Sequence, residues 1–213
     1  MKFKAVFFDF DGVIGKTMED NYRAWCKAFS HYNIILDQEE YYLLEGKNAQ
    51  GVAQIILAKH GMNSILPASL ASMKEKYYSE NNSFSFYQGV PKLINTLKGL
   101  FRLGLVSGTS SQRLKRTVPG HFLDAFDVVI TGDSVKETKP EPEPYLMASN
   151  ALSISPKDCI VVENAPFGIE SAKKAGMYCI AICSTLNRKY LHLADIVLDD
   201  FQMLYSFFNS LKD

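Results

Sequence analysis

Residues 5–14 read AVFFDFDGVI, and the order of the whole fold follows from them. Four apolar residues without polar alternation predict a buried strand, yet Asp9 and Asp11 come directly after it. In a strand, residues i and i+2 face the same way. Two carboxylates on one side of a buried strand repel each other and resist leaving water. The stretch therefore predicts a strand that ends at a polar site, with positive charge supplied from elsewhere in the chain.

Working outward, five further runs share this character: FRLGLVS (101–107), FDVVITG (126–132), DCIVVEN (158–164), MYCIAIC (177–183) and ADIVLDD (194–200). They are short, rich in Val and Ile, and lack alternation, as in a parallel sheet covered on both faces. Helical patterns lie between them. PKLINTLKGL (91–100) puts Leu93, Leu97 and Leu100 on one face, and APFGIESAKKAG (165–176) opens on Pro166 and closes on Gly176. Strand and helix alternate from about residue 86, so the fold class is α/β, a doubly wound Rossmann-like parallel sheet. Residues 15–85 break the rhythm. NYRAWCKAF (21–29) and GVAQIILAKHG (51–61) have helical spacing, and no buried strand accompanies them. We expect residues 1–14 with 86–213 to form the core and 15–85 to form an inserted α-helical cap.

The bulk numbers narrow the function. The 213 residues carry 23 basic and 23 acidic side chains, so no charge excess draws the chain to nucleic acid or an anionic membrane. Lys2 and Lys4 precede an apolar run, but Asp9 interrupts it too early for a secretory signal, and no 18-residue apolar stretch follows. The four cysteines form no CxxC pair, and a reduced, cytoplasmic protein is expected. Nothing demands more than a monomer.

In an open α/β sheet, ligands collect beyond the carboxyl ends of the strands. Four segments bring polar groups there: Asp9 and Asp11; Ser107, Gly108 and Thr109; Lys139; and Glu163 with Asn164. The acidic groups form a cluster that a hard dication neutralises, and Mg²⁺ accepts one or two carboxylates with water and substrate phosphate. The SGTS segment entering a helix forms an anion cradle, and Lys139 supplies a point charge to a phosphate oxygen. Together these groups suit a phosphoryl group attacked in line by a carboxylate.

FFDFDGVI (7–14), VSGTSS (106–111), KPEPEPYL (139–146) and VVENAPFGIESAKKAG (161–176), in this order, closely resemble the haloacid dehalogenase superfamily. Within it, the chain looks most like the subgroup of β-phosphoglucomutase and small phosphosugar phosphatases. The resemblance implies Asp9 as nucleophile through an aspartyl-phosphate, and Asp11 as general acid and base with a free side chain. It also implies Mg²⁺ held by Asp9, Glu163, Asn164 and the backbone carbonyl of Asp11, with Ser107 and Lys139 on the phosphoryl oxygens.

Two departures follow from the same resemblance. Asn164 stands where relatives commonly carry a carboxylate, which implies weaker Mg²⁺ binding and a larger share for Glu163. In the mutase pattern an acidic residue and a histidine flank the hinge threonine, and the cap adds a lysine and an arginine for a second phosphate. Here Lys16 and Asn21 flank Thr17, while Glu45 and Ala49 stand at the basic places, with Lys47 as a substitute cation. Substrate choice is expected around Lys16, Thr17, Asn21, Glu45 and Lys47. The expected activity is hydrolysis of a small phosphorylated metabolite, a sugar or polyol phosphate. A phosphosugar mutase and a catalytically silent binding protein are the alternatives.

Overall fold

The computed structural model describes residues 3–211. Among the described residues, six parallel strands form one sheet: β1 (Ala5–Phe8), β2 (Arg102–Val106), β3 (Val128–Ile130), β4 (Cys159–Glu163), β5 (Tyr178–Ile182) and β6 (Ile196–Leu198). All six lie in the runs that the sequence marks. Their spatial order is β3-β2-β1-β4-β5-β6. The chain thus leaves β1 in one direction and returns to its other side at β4, and the reversal opens a crevice at the carboxyl ends of these two strands. Phe8 pairs with Leu105 on one side and with Val162 on the other, which brings Asp9, Ser107 and Glu163 to one rim.

Side chains alternate across the sheet as a pleat requires. Val6 and Phe8 pack on one face with α5 (Val90–Leu97), α6 (Ser111–Thr117) and α10 (Phe201–Ser210). Ala5 and Phe7 pack on the other with α8 (Glu143–Ala151) and α9 (Pro166–Lys174). One short helix, α7 (Gly120–Leu123), leads into β3. Leu100 does not join the buried face predicted for it: α5 ends at Leu97, Gly99 turns the chain at φ +92°, and Leu100 is exposed. Of the basic pair before β1, Lys2 lies outside the described residues, and Lys4 pairs with Asp158 at 2.9 Å.

Between β1 and α5 the chain forms α1 (Met18–Ser30), α2 (Gln38–Leu43), α3 (Ala49–Lys59) and α4 (Pro67–Asn81). These helices gather their own apolar cluster, with Trp25 stacked on Phe29 at 5.2 Å and Val52, Ile56 and Leu70 beside them. The entering and leaving strands run side by side. Lys16 N–H donates to Ser85 O at 2.9 Å, Tyr87 N–H to Ile14 O at 3.1 Å, and Ser83 N–H to the Asp20 carboxylate at 2.7 Å. Two paired backbone segments are thus the covalent link between insert and sheet.

Candidate active site

Asp9 follows the last residue of β1 and is almost wholly buried. Its Oδ1 accepts from Lys139 Nζ at 2.6 Å. The same ammonium donates to Glu163 Oε1 at 2.7 Å and to Val106 O at 3.1 Å. Tyr145 Oη also donates to Glu163 Oε1, at 2.8 Å, and the backbone N–H groups of Asn164 and Ala165 take Oε2 at 2.9 and 3.4 Å. Gly168 makes room for this carboxylate, since a Cβ there would stand 1.8 Å from Glu163 Oε1. Burial alone would favour a neutral Lys139, but the charges of Asp9 and Glu163 outweigh it and hold the ammonium above its ordinary range. Burial pushes the Asp9 carboxyl up, against the pull of Lys139.

Asp11 has different company. Its Oδ1 accepts from the Thr17 hydroxyl, from Asn21 Nδ2 at 3.1 Å and from an Arg113 Nη at 2.7 Å. The Arg113 guanidinium lies 4.2 Å from the ring centre of Tyr78, on α4. β1 ends at Phe8, so both aspartates lie beyond its regular pleat, and both still border one cavity. Each carboxylate has its own cation, Lys139 for Asp9 and Arg113 for Asp11. Nor is the Asp11 side chain free: one of its oxygens is held by three donors.

The cradle segment is partly engaged as well. Ser107 Oγ accepts from Thr109 N–H at 3.2 Å, which leaves its own proton to donate. Thr109 Oγ1 is buried without a partner, the mark of a group awaiting a ligand. The first turn of α6 offers less than expected. Ser111 N–H goes to the Asp133 carboxylate at 3.1 Å, and Arg113 N–H to Ser110 Oγ at 3.2 Å. The open donors therefore sit in the loop of Ser107, Gly108 and Thr109.

A cavity of about 550 Å³ separates the helical insert from the rim, bordered by Asp9, Asp11, Asn21, Glu45, Lys74 and Arg113. Lys47 also borders it, its ammonium 5.0 Å from the Phe167 ring centre. Thr17 is fully buried, and its hydroxyl donates to Asp11 Oδ1. Lys16 points elsewhere, exposed and 5.6 Å from the Tyr87 ring centre. Burial, then the nearby Asp11 charge, pushes the Glu45 carboxyl up to about 7. Burial and the repulsion of Arg113 hold Lys74 below its ordinary range, and its ammonium pairs with Glu75 at 2.9 Å. Sequence reasoning missed Arg113, Lys74 and Tyr145.

The fit of a dication can be read from the oxygens left over. Both oxygens of Glu163 accept hydrogen bonds, from Lys139, Tyr145 and two backbone amides. Asn164 Nδ2 donates to Thr185 Oγ1 at 3.0 Å, which fixes its Oδ1 as an acceptor. Asp9, the Asn164 amide oxygen and the backbone carbonyl of Asp11 are hard oxygen donors with a single negative charge. That set suits a small dication that keeps most of its waters.

A parallel sheet with this strand order, a helical insert after β1, and paired aspartates at the switch point define a phosphoryl-type hydrolase class. The haloacid dehalogenase-like hydrolase profile matches residues 6–182, and the chain belongs to that family. It is 29% identical to validoxylamine A 7'-phosphate phosphatase of Streptomyces hygroscopicus subsp. limoneus, over 93% of this chain and 94% of that one. It is 28% identical to hexitol phosphatase A of Escherichia coli, over 96% and 94%. The crystal structure of β-phosphoglucomutase from Clostridium difficile superposes with a TM-score of 0.80 at 25% identity, covering 98% of each chain.

Proposed function

We propose that the chain is a Mg²⁺-dependent phosphomonoesterase acting on a sugar or polyol phosphate through an aspartyl-phosphate. The observation that carries this reading is that Asp9 and Asp11, two residues apart, border one cavity while each is held by a different cation. Lys139 orients Asp9 through Oδ1, and the other oxygen is the nucleophile. It forms a bond to phosphorus while the ester oxygen leaves, taking a proton from Asp11. Asp11 then accepts a proton from water as the water oxygen attacks phosphorus, which releases inorganic phosphate and restores the Asp9 carboxylate. Ser107, Gly108 and Thr109 receive the phosphoryl oxygens. Mg²⁺, held by Asp9, Asn164 and the Asp11 carbonyl, supplies charge neutralisation of the phosphoryl group when bound.

Residues 15–85 serve as the cap, closing about the paired segments near Lys16 and Ser85 and excluding water during the first step. The four free cysteines fit a reducing, cytoplasmic setting. The cavity chemistry favours a phosphatase over a mutase. Lys74 and Arg113 are already paired with Glu75 and Asp11, and Glu45 adds a carboxyl, so a second phosphate finds little free positive charge. A panel of sugar and polyol phosphates, with and without Mg²⁺, tests the reading by ³¹P NMR. We expect Mg²⁺-dependent inorganic phosphate from wild type and none from Asp9→Asn. Conversion of a sugar 1-phosphate to its 6-phosphate would favour the mutase, and the absence of any turnover the silent fold.

A further inference from the structure

The reading above leaves Arg113 without a task in the reaction, although its guanidinium is buried between the core, the insert and Asp11. We propose that Arg113 is a positioning residue for Asp11, and that it ties the aim of this carboxylate to the seating of the insert on the core. The inference rests on the phosphomonoesterase reading, in which Asp11 moves the proton of the leaving alcohol.

Three observations carry it. All three side-chain donors on Asp11 converge on Oδ1, from Thr17, Asn21 and Arg113. One oxygen is thereby locked and the other is left to carry the proton. The donors also come from different bodies: Thr17 and Asn21 from the start of the insert, Arg113 from α6 of the core. Finally, the flat guanidinium is backed by the buried Tyr78 ring of α4, which belongs to the insert. Arg113 borders both the catalytic cavity and an outer groove of about 380 Å³ between α4 and α6. It forms part of the wall between them.

These contacts make Asp11 depend on closure. With α4 seated, Tyr78 holds the guanidinium plane and the guanidinium holds Oδ1. With α4 lifted, the ring contact is gone, water reaches the guanidinium, and Asp11 loses its stiffest donor. A lysine cannot replace it, because an ammonium offers no flat face to the Tyr78 ring. The proton donor is thus aimed only after the lid has shut out competing water.

The test compares two esters whose leaving groups need the proton to different extents. A hexitol phosphate leaves as an alkoxide unless protonated, whereas p-nitrophenyl phosphate leaves as a stabilised phenolate. We expect Arg113→Ala to slow single-turnover release of the leaving group, the step before water attacks, about 100-fold on the hexitol ester and less than about 5-fold on the aryl ester, with little change in substrate affinity. Arg113→Lys recovers little of the loss, and Tyr78→Leu falls between at about 10-fold on the hexitol ester. A retained single-turnover burst of p-nitrophenolate shows that each variant folds, and Asp11→Asn provides the reference pattern. Equal losses on both esters, or a loss confined to KM, would overturn the proposal and mark Arg113 as a structural or phosphate-binding group. Discrimination by Asp11→Asn but not by Arg113→Ala overturns this inference alone. Failure of the wild type on both esters overturns the hydrolase reading, and this inference with it.

Discussion

Asp9 and Asp11 are two residues apart in sequence, yet they belong to different kinds of cluster. Asp9, Lys139, Glu163 and Tyr145 all hang from the sheet or from helices packed on it, and every donor and acceptor sits on the core. Asp11 is held from two directions, by Thr17 and Asn21 at the start of the insert and by Arg113 on the core. The first cluster is built when the sheet folds. The second is complete only when the insert rests on the core. On the function proposed above, a nucleophile that is always aimed and a proton carrier that is aimed on closure would divide the work between sheet and insert.

Removing the nucleophile should break this comparison most severely. Asp9→Asn is expected to lower kcat by at least about 10⁴-fold and to abolish the acyl phosphate trapped by acid quench. Next in size is Lys139→Met. It strands two carboxylates in a buried site and should cost on the order of 3–5 kcal/mol in urea unfolding. Arg113→Met should cost clearly less, about 1 kcal/mol, because Asp11 keeps two other donors. Similar losses in the two variants would erase the distinction between a prebuilt and an assembled cluster. Asn164→Asp should then tighten Mg²⁺ about tenfold, read from activity or calorimetric titration; unchanged affinity would remove Asn164 from the metal site.

The smallest effect concerns Glu45, whose carboxyl lies near 7 in the fold and near 4.5 in the unfolded chain. Between these values the folded state binds the extra proton, so this residue stabilises the fold at low pH and the contribution is lost as pH rises to about 7. Glu45→Gln should flatten that part of the stability curve. The expected difference is on the order of 1 kcal/mol between pH 4.5 and 8, discounted for partial exposure. An unchanged curve would place Glu45 outside the buried charge network.

The prebuilt cluster was also the legible one. Each strand is an apolar run, so its end is visible, and Asp9 and Glu163 stand at such ends, while Lys139 opens the KPEPEPYL stretch before α8. The assembled cluster left fainter traces. Arg113 lies in SSQRLKR beside the exposed Lys115 and Arg116, and only its place one turn after the SGTS segment sets it apart. In α4, the buried face reads Leu70, Ala71, Lys74 and Tyr78, and a lysine at its centre hides the periodicity. Thr17 is legible from the resemblance, but the hold of its hydroxyl on Asp11 is not, because sequence does not show which way a hydroxyl points. The four donors around Glu163 come from three segments and cannot be counted before the chain is folded.

The lid meets the core through backbone. A Cβ on Gly108 would lie 2.8 Å from the Gly46 carbonyl oxygen and 3.1 Å from that of Lys47. The depth at which the lid docks is therefore set by main-chain atoms, whatever side chains hang from its underside. Residues such as Glu45, Lys47 and Asn48 can be exchanged for others without propping the jaws apart.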